Sequence, residues 1–107
     1  MRILVVEAVI CEQEWITKSL NDAGYEVMHC CDGDWAFVYL RTHPCDVVVV
    51  GRFNGSRIKE AQDLVEAIHS IDLGQPCVIL RKPSGTKRLL KWVAAARREL
   101  LPLFDGY

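Results

Sequence analysis

The sequence contains no C-x-x-C pair, no G-x-G-x-x-G, no G-x-x-x-x-G-K-[ST] and no G-x-S-x-G. These absences remove the usual signatures of a zinc ribbon, a dinucleotide fold, a P-loop and an α/β-hydrolase elbow. No apolar run approaches the ~20 residues needed to span a bilayer. The opening Met1-Arg2-Ile3-Leu4-Val5-Val6 is too short for a signal peptide and lacks a cleavage pattern, so a cytosolic protein is expected. The net charge of -1 gives no general pull toward nucleic acid or membrane. Acidic residues are missing altogether from 81–98, which carries Arg81, Lys82, Lys87, Arg88, Lys91, Arg97 and Arg98. Such a run reads as a solvated helix face or as a docking face for an acidic partner.

At 107 residues the chain is expected to form one domain, 1–107, with a core that needs neither disulfides nor metals. Cysteines are present in odd number: Cys11, Cys30, Cys31, Cys45 and Cys77. Most fall in or beside apolar segments, as small buried hydrophobes do. The adjacent Cys30-Cys31 leaves a redox role open. His29, His43 and His69 lie far apart, and none ends a predicted strand. His29 and His69 are read as structural residues rather than bases.

The densest apolar run is Val47-Val48-Val49-Val50, preceded by Pro44-Cys45-Asp46 and followed by Gly51. Four consecutive β-branched residues predict a strand buried on both faces, the mark of a central parallel strand. The C-terminal ends of such strands are where α/β proteins place their ligands. Here that end is a glycine, which contributes no side chain.

The rest of the chain alternates around this strand. Ile3–Val6 predicts strand 1, with Glu7 at its end, and Ile10, Trp15, Ile16 and Leu20 predict a helix over about 11–23, stopped by Asn21-Asp22-Ala23-Gly24. Tyr25–Cys30 predicts strand 2. Asp32-Gly33-Asp34 is a turn whose acids suit the start of a helix over about 34–42. A third helix is expected over about 57–70, strand 4 over Cys77–Leu80, and a last helix over about 86–101, leaving Leu103–Tyr107 as a tail. Four strand–helix alternations predict an α/β fold with a parallel sheet, right-handed crossovers and helices on both faces.

Several segments, taken in order, resemble the response-regulator receiver domains. They are Met1-Arg2-Ile3-Leu4-Val5-Val6-Glu7, Ala23-Gly24-Tyr25-Glu26-Val27, Cys31-Asp32-Gly33-Asp34-Trp35-Ala36, Pro44–Val50, Pro76–Leu80 and Lys82-Pro83. The resemblance spans essentially the whole chain and implies a flavodoxin-like three-layer sandwich. In that family two acids after strand 1 hold Mg²⁺, an Asp ending strand 3 accepts the phosphoryl group, a Ser or Thr ends strand 4, and a Lys pairs with the phosphoryl oxygens. Carried onto this chain, Glu7 keeps one acid and Ala8 replaces the other. Gly51 stands at the acceptor, Arg81 or Lys82 stands at the hydroxyl, and Lys82 keeps the lysine. One acid is a poor Mg²⁺ site, so no metal or other cofactor is expected. Glu7 and Lys82 form either a pair over the vacant pocket or two solvated charges at its rim. About 20 residues before Lys82-Pro83 are missing relative to the family pattern. That implies loss of one helix and one strand, a four-stranded sheet in order 2-1-3-4, and strand 4 as an exposed edge. The resemblance also implies a cis Lys82-Pro83 bond.

The resemblance therefore points to a pseudo-receiver that has lost its phosphorylation chemistry. It would act as a protein–protein interaction module in two-component-type signalling or transcription regulation, and not as an enzyme. The expected partners are proteins, including a second copy of the chain, through Trp92, Arg88, Lys91, Cys77 and Leu80. Direct contact with membrane or nucleic acid is not expected. The alternative is a small-ligand or redox sensor that uses the vacated pocket around Glu7, Gly51 and Lys82.

Overall fold

The computed structural model describes residues 1–81, 85–99 and 104–106. Strands β1 (Arg2–Val6), β2 (Glu26–Cys30), β3 (Val47–Val50) and β4 (Cys77–Leu80) alternate with helices α1 (Ile10–Asp22), α2 (Gly33–Leu40), α3 (Ala61–Ile71) and α4 (Thr86–Glu99). The four strands are all parallel and lie in the order 2-1-3-4. A three-residue strand, β5 (Phe104–Gly106), adds to the outer edge of β4, also parallel. The sheet thus has five strands rather than four. The C-terminal segment, expected to be a tail, covers the β4 edge that was expected to lie open.

Strand residues alternate between two cores because successive side chains point to opposite faces. Ile3, Val5, Val47, Val49 and Val78 meet Ile16 and Leu20 of α1 and Leu89, Val93 and Ala96 of α4. Leu4, Val6, Val48, Val50, Cys77 and Ile79 meet Ala36 of α2 and Leu64, Val65 and Ile68 of α3. All four valines of β3 are fully buried, each contributing about 1.5–3 kcal/mol by burial. This double burial is why the run has no polar alternation.

Local chemistry sets the helix ends. At the end of α1, Gly24 adopts φ 93°. Its N–H donates to the Asn21 carbonyl, and the Tyr25 N–H donates to the Leu20 carbonyl. That is the paired bonding of a glycine-terminated helix, and it turns the chain directly into β2. Asp32 caps α2 by accepting from the Trp35 N–H at 2.9 Å. Helix α3 begins at Ala61, four residues later than expected. The intervening residues are tied to other loops, as described below. Helix α4 is seated on α1 by a small polar node: the Trp15 Nε1–H donates to Thr86 Oγ1 at 3.1 Å, and Ser19 Oγ lies 3.0 Å from the same oxygen. This node satisfies the buried Ser19 hydroxyl.

Candidate functional site

Strands β1, β3 and β4 deliver Glu7, Gly51 and Arg81 to the same C-terminal edge of the sheet. The parallel ladder continues past the strands: the Gly51 N–H donates to the Val6 carbonyl at 2.9 Å, and the Ala8 N–H to the Arg52 carbonyl at 2.5 Å. Glu7 is nearly buried, at 5% exposure. Its carboxylate accepts from the Val9 N–H at 3.0 Å through Oε2 and from the Arg52 N–H at 3.3 Å through Oε1. One side chain therefore ties the β1–α1 loop to the β3–α3 loop. It does so directly over Gly51, where a Cβ would collide with Glu7 Oε1 and Cδ. The space beside Gly51 is thus occupied by Glu7.

The remaining room is small. Glu7, Glu12, Trp15, Ile16, Arg52, Leu80 and Arg81 line a cavity of about 20 Å³. That is enough for about one water molecule and far below the ~300–1,000 Å³ of a small-molecule site. Among the described residues, those that line this cavity leave no ligand-sized space for the sensor alternative. A Mg²⁺ ion is also poorly served. Ala8 offers no oxygen side chain, Gly51 offers no carboxylate, and both Glu7 oxygens already accept backbone N–H groups. The residues present do not fit a hard divalent cation, which needs several oxygen ligands. Among the described residues no group of three or more His, Cys, Asp or Glu is arranged to hold a metal. Asp46, the nearest acid in sequence to the valine run, sits at the opposite end of β3. There it accepts from the Arg2 N–H at 2.7 Å and lies 3.5 Å from the Arg97 guanidinium. Lys82 and the Lys82-Pro83 bond lie outside the described residues.

The loop that follows Gly51 is held from a second side by Asp34. Its Oδ2 accepts from the Ser56 N–H at 2.9 Å, the Ser56 hydroxyl at 2.9 Å and the Arg57 N–H at 3.2 Å, and its Oδ1 accepts from the Ile58 N–H at 2.9 Å. Backbone bonds extend the clamp. The Gly33 N–H donates to the Asn54 carbonyl at 2.7 Å, and the Asn54 N–H to the Cys31 carbonyl at 2.8 Å. Sequence reasoning assigned Asp34 to the start of its own helix. Its partners lie more than twenty residues away, and no local signal announces them.

Hydrogen bonds from the backbone N–H groups of Ile58, Ser56 and Arg57 hold the Asp34 carboxyl down at about 2. An ordinary Asp titrates near ~4. Because the folded value is depressed, the clamp is fully present above about pH 4 and is lost as pH falls through about 2. In an acid titration followed by NMR, the amide shifts of Ser56, Arg57 and Ile58 are expected to move with a midpoint near 2. A midpoint near the ordinary value would show that the carboxylate does not hold these amides. Asp34→Ala is expected to speed hydrogen exchange at the same three amides by on the order of tenfold or more.

The other residues singled out in the sequence scatter. Cys77 is fully buried on the α3 side of β4, which corrects its assignment to an interface. Leu80 is half-buried and lines the small cavity. Trp92 is partly buried against the α1–α4 core, while Arg88 and Lys91 are exposed. The exposed tryptophan is Trp35 on α2, at 46%, stacked on Tyr39 with ring centroids 4.9 Å apart; Tyr39 in turn stacks on His43 at 4.1 Å. Burial pushes the Cys30 thiol up to about 11 and the Cys77 thiol up to about 12. Both stay protonated near neutral pH, and a protonated thiol is a poor nucleophile. This weighs against Cys30 as the nucleophile of a redox pair. His69 Nε2 lies 3.1 Å from the Gln75 carbonyl oxygen, a structural contact at the start of β4.

The strand order, the helices on both faces and the loop cluster at the strand C-termini define the receiver fold of response regulators. Solved structures agree. A CheY-like receiver domain protein from Methanospirillum hungatei JF-1 superposes with a TM-score of 0.82 at 16% identity, covering 92% of this chain and 94% of that one. The receiver domain of NtrX from Brucella abortus gives 0.82 at 20% identity, with 90% and 98% covered. The receiver domain of the hybrid histidine kinase CckA gives 0.76 at 20%, with 91% and 99% covered. The sequence matches no family model and no curated protein. Among the described residues no helix is long and apolar enough to cross a membrane.

Proposed function

We propose that this chain is a phosphorylation-independent pseudo-receiver, a cytoplasmic, non-enzymatic module that regulates two-component-type signalling or transcription through protein–protein contact. The observation that carries this reading is the Glu7 carboxylate lying over Gly51 and bonded to the N–H groups of Val9 and Arg52. By the resemblance, a receiver takes a phosphoryl group at the end of strand 3, where a hydroxyl and a lysine from the neighbouring loops bind its oxygens. Here no side chain at that position can accept the group, and an internal carboxylate already bridges two of those loops. Asp34 fixes the far half of the β3–α3 loop. The loop shape is thus set by the chain's own acids, and the surface it presents is constant. Its partners are proteins, among them a second copy of the chain, and not membranes or nucleic acid.

The test is exposure of the intact chain to Mg²⁺ with beryllofluoride, and separately to a small phosphoryl donor. NMR shifts and intact mass are the readouts. The expected outcome is no mass gain and no shift change around Glu7, Gly51 and Arg52. A stable phospho-adduct, or beryllofluoride-dependent shifts at these residues, would overturn the proposal.

A further inference from the structure

The connection from β4 to β5 has the opposite hand to the other crossovers. From β1 to β2 the chain steps toward one edge of the sheet by way of α1. From β2 to β3, and from β3 to β4, it steps the other way by way of α2 and α3 on the opposite face. Reversing both direction and face preserves the hand, so these three crossovers share it. From β4 to β5 the chain steps in the same direction as from β3 to β4, but α4 lies on the α1 face. One reversal without the other inverts the hand. Parallel crossovers are right-handed in about 98% of cases, because strand twist and helix packing favour that return path.

The seat of α4 is well determined. Leu89, Val93 and Ala96 are fully buried against β1, β3 and β4, and Thr86 bonds to Trp15 and Ser19. The β4 edge also needs a strand, since its outer N–H and C=O groups would otherwise stand unpaired. Against this, β5 of the same chain pairs with that edge over a register of only three pairs: Val78 with Phe104, Ile79 with Asp105 and Leu80 with Gly106. A second copy resolves the conflict. Its β5 can enter the same edge in the same register, and no single chain then has to close a crossover of the disfavoured hand.

We propose that β5 is exchanged between two copies of this chain, so that Phe104–Gly106 of each copy completes the β4 edge of the other. The exchange keeps every β4–β5 backbone pairing and makes the domain a strand-swapped homodimer. It stands on the crossover hand alone and does not depend on the absence of phosphoryl chemistry.

The test uses the intact chain. Sedimentation from micromolar to millimolar concentration is expected to give twice the monomer mass. Isotope-labelled and unlabelled copies are then unfolded, mixed and refolded. Isotope-filtered NOEs are expected between Val78–Leu80 of one copy and Phe104–Gly106 of the other. A monomer at all concentrations, or a dimer whose β4–β5 NOEs all lie within one copy, would overturn the exchange. A chain ending at Glu99 is expected to lose the dimer, and a dimer that survives this deletion also overturns it. Should the shortened chain fail to fold, the filtered NOEs on the intact chain decide.

Discussion

Gly51→Ala is expected to destabilise the chain by about 1–3 kcal/mol, the usual range for forcing an extra carbon into a filled site, and to become nearly neutral when Glu7 is also alanine. The physical cause is the shared volume: a Cβ at position 51 meets Glu7 Oε1 and Cδ. The Glu7 side chain is flexible, but moving it breaks its bonds to the Val9 and Arg52 N–H groups. The cavity beside it holds only about 20 Å³ into which it could retreat. Glu7→Ala alone is expected to cost about 2–4 kcal/mol, because the 3.0 Å bond to this charged acceptor is worth ~1.5–3 kcal/mol and the longer 3.3 Å bond adds a smaller share. In that background the collision is gone, and the smaller unfolded-state entropy of alanine at position 51 offsets part of the loss by ~0.4–1 kcal/mol. Urea unfolding of the four proteins gives the coupling, expected at about 1–3 kcal/mol. Additive effects would mean that the carboxylate does not occupy the space over Gly51, and the proposed constancy of the loops would lose its main support. Gly51→Asp is expected to be worse than Gly51→Ala while Glu7 remains, since it places two carboxylates in one small site.

Gly55→Ala is expected to be at least as damaging, at about 3 kcal/mol, the upper end of the overpacking range. At Gly51 the obstacle is a side chain. At Gly55 an added Cβ would run into the carbonyl oxygen and carbon of Ile58, which is backbone. The turn itself must open, and the Ile58 N–H bonded to Asp34 belongs to that turn. The loss should therefore appear twice. Thermal unfolding should fall by roughly 10–20 °C for a domain of this size, and the Ser56, Arg57 and Ile58 amides should lose hydrogen-exchange protection. A variant that keeps both its melting temperature and those protected amides would show that the turn can accept a side chain. The clamp would then not be the rigid element described here.

Much of the fold was legible because its signals are local. Four valines in a row mark a strand with two buried faces, and Asn21–Gly24 marks a helix stop. The resemblance supplied the order of the first four strands. The boundaries failed where distant groups intervened. Helix α3 starts at Ala61 rather than near 57 because Ser56, Arg57 and Ile58 are bonded to Asp34. Phe104–Gly106 of the expected tail form β5 because an open edge at β4 was available to them. Side-chain exposure was the least legible. Cys77 alternates into the core by strand period, whereas Trp35 is left exposed by the turn of α2.

The sequence by itself determined that this is a parallel α/β chain whose central strand ends without a carboxylate. Residue identity and short-range periodicity are enough for that. Only the tertiary structure decided how that strand end is filled and how its loops are held. It turned Glu7 inward over Gly51, sent Asp34 across to the β3–α3 loop and seated α4 on the α1 face. Each of these depends on which backbone N–H groups and apolar faces remain unsatisfied after distant strands have paired, and spacing along the chain does not encode that.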